Sequence, residues 1–146
     1  MGHRRKAREY ALQGLYMHEL RMREGSVSSE ALRKDVTSLE WVDVEISPDI
    51  REFAVTLIMG ALTNRDAIDT LIDRHSRNWK LERLSIVDKS ILRLSIFEMV
   101  YLPEIPVAVT INEGIELGKI YGGEGSGQFI NGILDAVNKS EIETKE

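Results

Sequence analysis

The 146-residue chain carries 42% hydrophobic and 29% charged residues at a formal net charge of −5, a globular balance that excludes a disordered chain and gives the size of one ordinary domain. It has no cysteine, which excludes disulfides, thiolate zinc sites and cysteine nucleophiles together. No window approaches the roughly 18 consecutive apolar residues of a membrane span, and Gln13, His18 and Glu19 interrupt what would be a signal-peptide core, so a cytoplasmic protein is expected.

Charge is unevenly placed along the chain. Arg4, Arg5, Lys6 and Arg8 precede the first acid, Glu9, so four positive charges against a net −5 leave −9 for the remainder. Such asymmetry fits a polyanion-binding tip on an acidic body, and it also fits a solvated helix end. Prolines occur only at Pro48, Pro103 and Pro106, so long stretches are free to be helical and an all-α fold is expected.

From Arg8 to about Arg23, Ala11, Leu12, Leu15 and Met22 line one side of a helix that Gly25-Ser26 stops. At about 100° per residue, Arg4 and Arg8 project toward the same side as Leu15. They stay solvated only if the helix overhangs its bundle or is not yet formed there; either case sets them at a rim. Tyr10, Tyr16, Met17 and Leu20 lie off the stripe, so this helix packs on two sides or offers a second face to a partner. A short helix over 29–39 rests on Ala31, Leu32, Val36 and Leu39, followed by a connection pinned by Trp41, Val44 and Ile46. Ser47-Pro48-Asp49 is a strong helix start, and Ile50, Phe53, Ala54, Leu57, Ile58, Ala61 and Leu62 continue it in amphipathic register.

Asn64 is the expected cap of the next helix, carried by Ala67, Ile68, Leu71 and Ile72 and ending near 75–78; Trp79, Leu81 and Leu84 lead to another boundary. Ser85 with Asp88 forms a carboxylate capping box for a helix through Ile91, Leu92, Leu94, Ile96, Phe97, Val100 and Tyr101, apolar on too many sides for anything but the centre of the core. Pro103 ends it. Val107, Val109 and Ile111 alternate like a strand, but a lone short strand is unstable. Thr110 with Glu113 instead predicts a helix from Ile111 to about Tyr121, closed by an αL cap at Gly122-Gly123. Ser126 starts the last helix, with Phe129, Ile130, Ile133, Leu134 and Val137 facing inward, and residues 140–146 are expected to fray.

No enzyme emerges from these residues. Gly122-Gly123-Glu124-Gly125-Ser126-Gly127 follows a helix, lacks the Lys-Ser/Thr of a P-loop and misses the dinucleotide spacing. Two readings of it stay open: backbone N–H groups for one phosphate at a helix N-terminus, or a flexible turn with a cap. His3, His18 and His75 have no metal-ligand spacing, so neither a metal nor a cofactor is expected. Asp69 and Asp73 read as a solvated helix face.

Three stretches, RRKAREYALQGLY at 4–16, LSIVDKSILRLSIFEM at 84–99 and TINEGIELGKIYGGEGSGQFINGILD at 110–135, resemble the NusB family of bacterial transcription antitermination factors. The last is the most specific, combining Asn112-Glu113, Glu116-Leu117, the glycine turn and Phe129-Ile130-Asn131-Gly132 at family spacing. The resemblance implies about seven helices in two packed small bundles, about 1–63 and 64–139 of a single RNA-binding domain over 1–139. It implies binding of the single-stranded boxA element of ribosomal RNA leader transcripts, together with the small-subunit ribosomal protein acting as NusE, in a transcription elongation complex. Arg4, Arg5, Lys6 and Arg8 match its basic motif, with His3 beside them as an RNA contact; Tyr121, Ser126 and Gln128 fall in its second RNA-facing region, and Tyr16 and Asp88, the partner-binding candidates, match positions linked to partner or RNA contact. Four phosphate contacts would give a log–log salt slope of about −3 on single-stranded RNA. Two departures bear on the fold and the site: Gly114 and Gly118 stand where the family usually has Ala, softening their helix by about 1 kcal/mol each unless packing requires glycine, and Gln128 stands where many relatives are basic. The competing readings are a protein-only interaction module or homodimer, and a targeting domain like that of ribosomal RNA methyltransferases.

Overall fold

The computed structural model describes residues 2–25, 27–76 and 81–143, with side chains from residue 4 onward. The chain divides into two compact units, Met1–Thr63 and Asn64–Glu146.

The first unit holds α1 (Gly2–Glu24), α2 (Ser29–Ser38) and α3 (Pro48–Thr63), each packed on the other two. Its core joins Ala7, Ala11, Leu12 and Leu15 to Leu32, Val36 and Leu39 and to Ala54, Leu57, Ile58, Ala61 and Leu62. Gly14 lets α1 come close, because a Cβ there would stand 2.8 Å from Ile58 Cδ1 and 3.2 Å from Val36 Cγ1. Ser28 Oγ accepts from Ala31 N at 3.2 Å to start α2, and Ser47 Oγ accepts from Ile50 N at 3.4 Å at the head of α3. Between them the connection is tied by Trp41 Nε1, donating to Val36 O at 2.9 Å, and by Arg51 Nη1, donating to Ser38 O at 2.9 Å.

Several expectations for this unit need correction. The basic stretch is already helical, since α1 begins at Gly2 and not near Arg8. Met22, assigned to the buried stripe, is exposed, as are Ala31 in α2 and Val44 in the connection. Tyr10, set off the stripe, is buried, whereas Tyr16 and Leu20 are exposed. Burial along α1 is densest from Ala7 to Leu15 and reaches His18 and Glu19, whereas Leu20, Met22 and Arg23 are exposed.

The second unit holds α4 (Arg65–His75), α5 (Ile86–Tyr101), α6 (Val107–Tyr121) and α7 (Ser126–Val137), with a 3-10 turn at Leu81–Arg83. Helix α5 packs against α4, α6 and α7 and is buried without interruption from Lys89 to Met99, the central helix its composition demands. Ser85 Oγ caps it by accepting from Asp88 N at 3.0 Å, and the chain leaves helix at Leu102, before Pro103. Asp69 is more than a solvated acid: Arg93 Nε and Nη2 donate to its two oxygens at 2.8 and 2.9 Å, locking α4 to α5.

Here too the structure departs from local signals. Asn64 makes no side-chain cap bond, Ala67 is exposed, and Trp79 lies outside the described residues. Helix α6 starts at Val107 behind Pro106, so Thr110 is not a cap: its Oγ1 donates to the buried Glu98 Oε1 at 3.1 Å. Gly122 is extended rather than left-handed, at φ −89° and ψ −176°; the left-handed glycine is Gly125, at φ +85°. Residues 138–142 form a π-helical turn where fraying was expected from 140, with Ser140 Oγ 3.0 Å from His75 Nε2 and Arg74 Nη1 donating to Glu141 Oε2 at 3.1 Å. Gly114 and Gly118 sit in close contacts: a Cβ at 114 would stand 2.9 Å from Ser95 Oγ, and one at 118 would stand 2.8 Å from Ile130 Cδ1 and 3.3 Å from the Gly127 backbone, so alanine at either position asks its neighbours to shift. The α6–α7 crossing is that close.

Candidate nucleic-acid interface

The site residues read from the sequence fall into two groups, one in each unit. In the first, α1 presents Arg4, Arg5 and Lys6 as exposed cations one turn into the helix. Arg8 differs. It is only 3% exposed, with its guanidinium carbon 5.5 Å from the centre of the Phe53 ring. The rim position expected of Arg4 and Arg8 therefore holds for Arg4 alone, and Arg5 and Lys6 are exposed beside it. Arg4 lies over the same ring at 4.8 Å, because residues four apart share a helix face. Lys6 Nζ sits 5.6 Å from the Tyr10 ring centre and 3.6 Å from Glu9 Oε1. The side chain of His3 lies outside the described residues. Farther along α1, Tyr16 is 38% exposed, its ring open to contact.

The second group is built on the turn between α6 and α7. Tyr121, at the end of α6, is 38% exposed, and Gln128 is exposed in the first turn of α7. Ser126 is 6% exposed, and its Oγ accepts from Gly123 N at 3.0 Å while its own N–H donates to Gly123 O at 3.1 Å. Two of the amides that could have cradled an anion are thus committed to closing the turn. Beside it opens a cavity of about 270 Å³ lined by Arg83, Ser85, Asp88, Glu124, Ser126 and Phe129, among others. Asp88 Oδ1 has no hydrogen-bond partner among the described residues. The structure therefore brings Asp88 and Ser126 to one cavity.

Sequence reasoning missed Phe53, Arg83 and Phe129 as site neighbours. Phe53 and Phe129 fit the apolar helical register of core residues, yet both are only partly buried. Arg83 follows a stretch with no periodic signal. Among the described residues, no helix is long and apolar enough to cross a membrane.

These features define an all-α protein of acidic body with a cationic helix end. The NusB family model matches residues 5–139, and the chain belongs to the NusB family. It is 47% identical over 137 residues to the transcription antitermination protein NusB of Myxococcus xanthus (strain DK1622), covering 94% of this chain and 95% of that one. Against the protein of the same name from Syntrophus aciditrophicus (strain SB) the identity is 50% over 137 residues, with 94% and 80% covered. Among solved structures, T. maritima NusB matches with a TM-score of 0.82 at 36% identity, covering 97% of this chain and 94% of that chain. A chain from a crystal structure of antitermination factors NusB and NusE in complex with double-stranded RNA matches at 0.79 and 29% identity, with 95% and 98% covered.

Proposed function

We propose that this protein is a transcription antitermination factor: a non-catalytic, cytoplasmic adaptor that binds the boxA element of ribosomal RNA leader transcripts together with the ribosomal protein acting as NusE. Family membership supports the role, and the similarity to a NusB chain solved with NusE and RNA supports the two partners. The observation that carries the RNA-binding reading is the exposure of Arg4, Arg5 and Lys6 at the start of α1 in a chain of net charge −5. Exposed cations attract phosphates with a strength that salt attenuates, and they do so without reading sequence. Sequence choice belongs to groups that reach base edges or stack on bases. In this reading Tyr121 supplies a ring, with Gln128 and the Asp88 cavity supplying polar contacts, and Tyr16 faces the protein partner.

The test is a titration of boxA-like and scrambled single-stranded RNA, and of a double-stranded RNA, with and without the ribosomal partner. Three phosphate contacts give a log–log salt slope of about −2 on single strands. Salt-independent binding, or unchanged affinity in the Arg4→Ala/Arg5→Ala/Lys6→Ala protein, would overturn the reading. Sedimentation with and without RNA separates it from a protein-only dimer, which would form without RNA and hide α1.

A further inference from the structure

We infer that Phe53 is a positioning residue for RNA binding: its ring is a shelf that orders the Arg4 guanidinium in advance of the phosphate it meets. The inference rests on the RNA-binding reading above and adds to it a residue that carries no charge and belongs to another helix.

Arg4 and Arg8 are four apart on α1, and the face they share turns toward α3, where one partly buried ring meets both guanidinium carbons, at 4.8 and 5.5 Å. Both distances fall within the roughly 6 Å at which a ring quadrupole attracts a cation. The two positions differ in what they leave open. Arg8 is covered by protein, whereas Arg4 is exposed. Arg8 therefore fixes the inner end of the shelf, and Arg4 occupies the end that a ligand can approach.

An arginine at an exposed helix end ordinarily samples many rotamers, and binding must freeze them. A ring contact removes part of that cost beforehand. It does so without an acceptor atom that would compete for the five N–H donors, so Arg4 keeps its fork for a phosphate. Lys6 illustrates the contrasting arrangement, since Glu9 Oε1 stands 3.6 Å from its ammonium and competes with any incoming anion. A shelf of this kind raises affinity without adding a charge, and that is its signature.

The experiment measures boxA-like RNA affinity across a salt series for the full-length wild type, Phe53→Leu, Arg4→Ala and the double variant, with Phe53→Trp as the aromatic rescue. Loss of one exposed cation–ring contact corresponds to about a threefold weakening. The expected results are that loss for Phe53→Leu with an unchanged salt slope, no further loss when Phe53→Leu is added to Arg4→Ala, and recovery in Phe53→Trp. Wild-type affinity in Phe53→Leu, or an equal loss in the Arg4→Ala background, overturns the shelf while leaving RNA binding intact. A wild type with no salt-sensitive RNA binding overturns the underlying reading instead. Should Phe53→Leu fold poorly, side-chain NMR of the wild type decides: the Arg4 δ-methylene protons are expected upfield under the ring current and shifted again by RNA, and random-coil positions overturn the proposal.

Discussion

Three glycines in one turn, changed one at a time to alanine, separate three physical reasons for lacking a side chain. Gly122 has an extended backbone that any residue adopts, so alanine there gains about 0.4–1 kcal/mol by restricting the unfolded chain. Against that gain, its Cβ would stand 2.5 Å from Ser126 Oγ, 2.6 Å from Ser126 Cβ and 2.7 Å from Gly118 O. Rotating Ser126 relieves only the first of these contacts. Its Cβ is set by the α7 backbone, and the Gly118 carbonyl accepts the Gly122 N–H at 3.0 Å to end α6. The turn must open, losing the Gly123 N to Ser126 Oγ bond, worth about 1 kcal/mol, on top of overpacking of about 1–3 kcal/mol. The net expectation for Gly122→Ala is a destabilisation of about 2 kcal/mol. At Gly123 a Cβ meets nothing within 4 Å, so Gly123→Ala stays within about 0.5 kcal/mol of wild type. At Gly125 space is also open but φ is +85°, so Gly125→Ala costs about 1–2 kcal/mol through the backbone alone. Urea unfolding followed by circular dichroism measures all three, as shifts of midpoint at constant slope. A neutral or stabilised Gly122→Ala, or a Gly123→Ala as damaging as its neighbour, would refute the reasoning.

Arg8→Ala is expected to lower the stability of the first unit by about 2 kcal/mol and leave the RNA salt slope unchanged, whereas Arg4→Ala reduces the slope by about 0.7 with little effect on stability; melting curves and filter binding on the same two proteins check both halves. Asp69→Asn breaks the two-pronged pair with a side chain of Arg93 that is 7% exposed, and a loss of about 3 kcal/mol is expected in urea. Arg74→Ala, whose pair with Glu141 is formed by a 55% exposed side chain, changes stability by less than about 1 kcal/mol. Ser85→Ala removes the α5 cap and lowers the thermal midpoint by about 3 °C, matching about 1 kcal/mol in a chain of this size.

What was legible in the sequence was local. Ser47-Pro48 and Ser85 mark the starts of α3 and α5 because a cap bond needs only residues three apart, and the buried face of α3 follows from apolar spacing. What was not legible depended on partners distant in the chain. Thr110 and Glu113 carry the pattern of a capping box, but Glu98 claims the Thr110 hydroxyl, and α6 runs a turn farther back than the local pattern states. Gly114 and Gly118 look like weaknesses of α6 until Ser95, Ile130 and Gly127 are seen against them.

The candidate site divides along the same line. Helical phase alone turns Arg4 and Arg8 toward the packed side of α1, which looked incompatible with a cationic rim unless the helix overhung or had not begun. The structure resolves the conflict with a residue that phase could not name. Phe53 accepts a guanidinium on its face, so one arginine is covered without an apolar substitute and the other stays exposed beside it. Counting cations in the sequence therefore overstates the attraction the tip exerts, from three exposed charges to four. It also understates how well one of those charges is held, because order in a long side chain comes from what it rests on, and that lies on another helix.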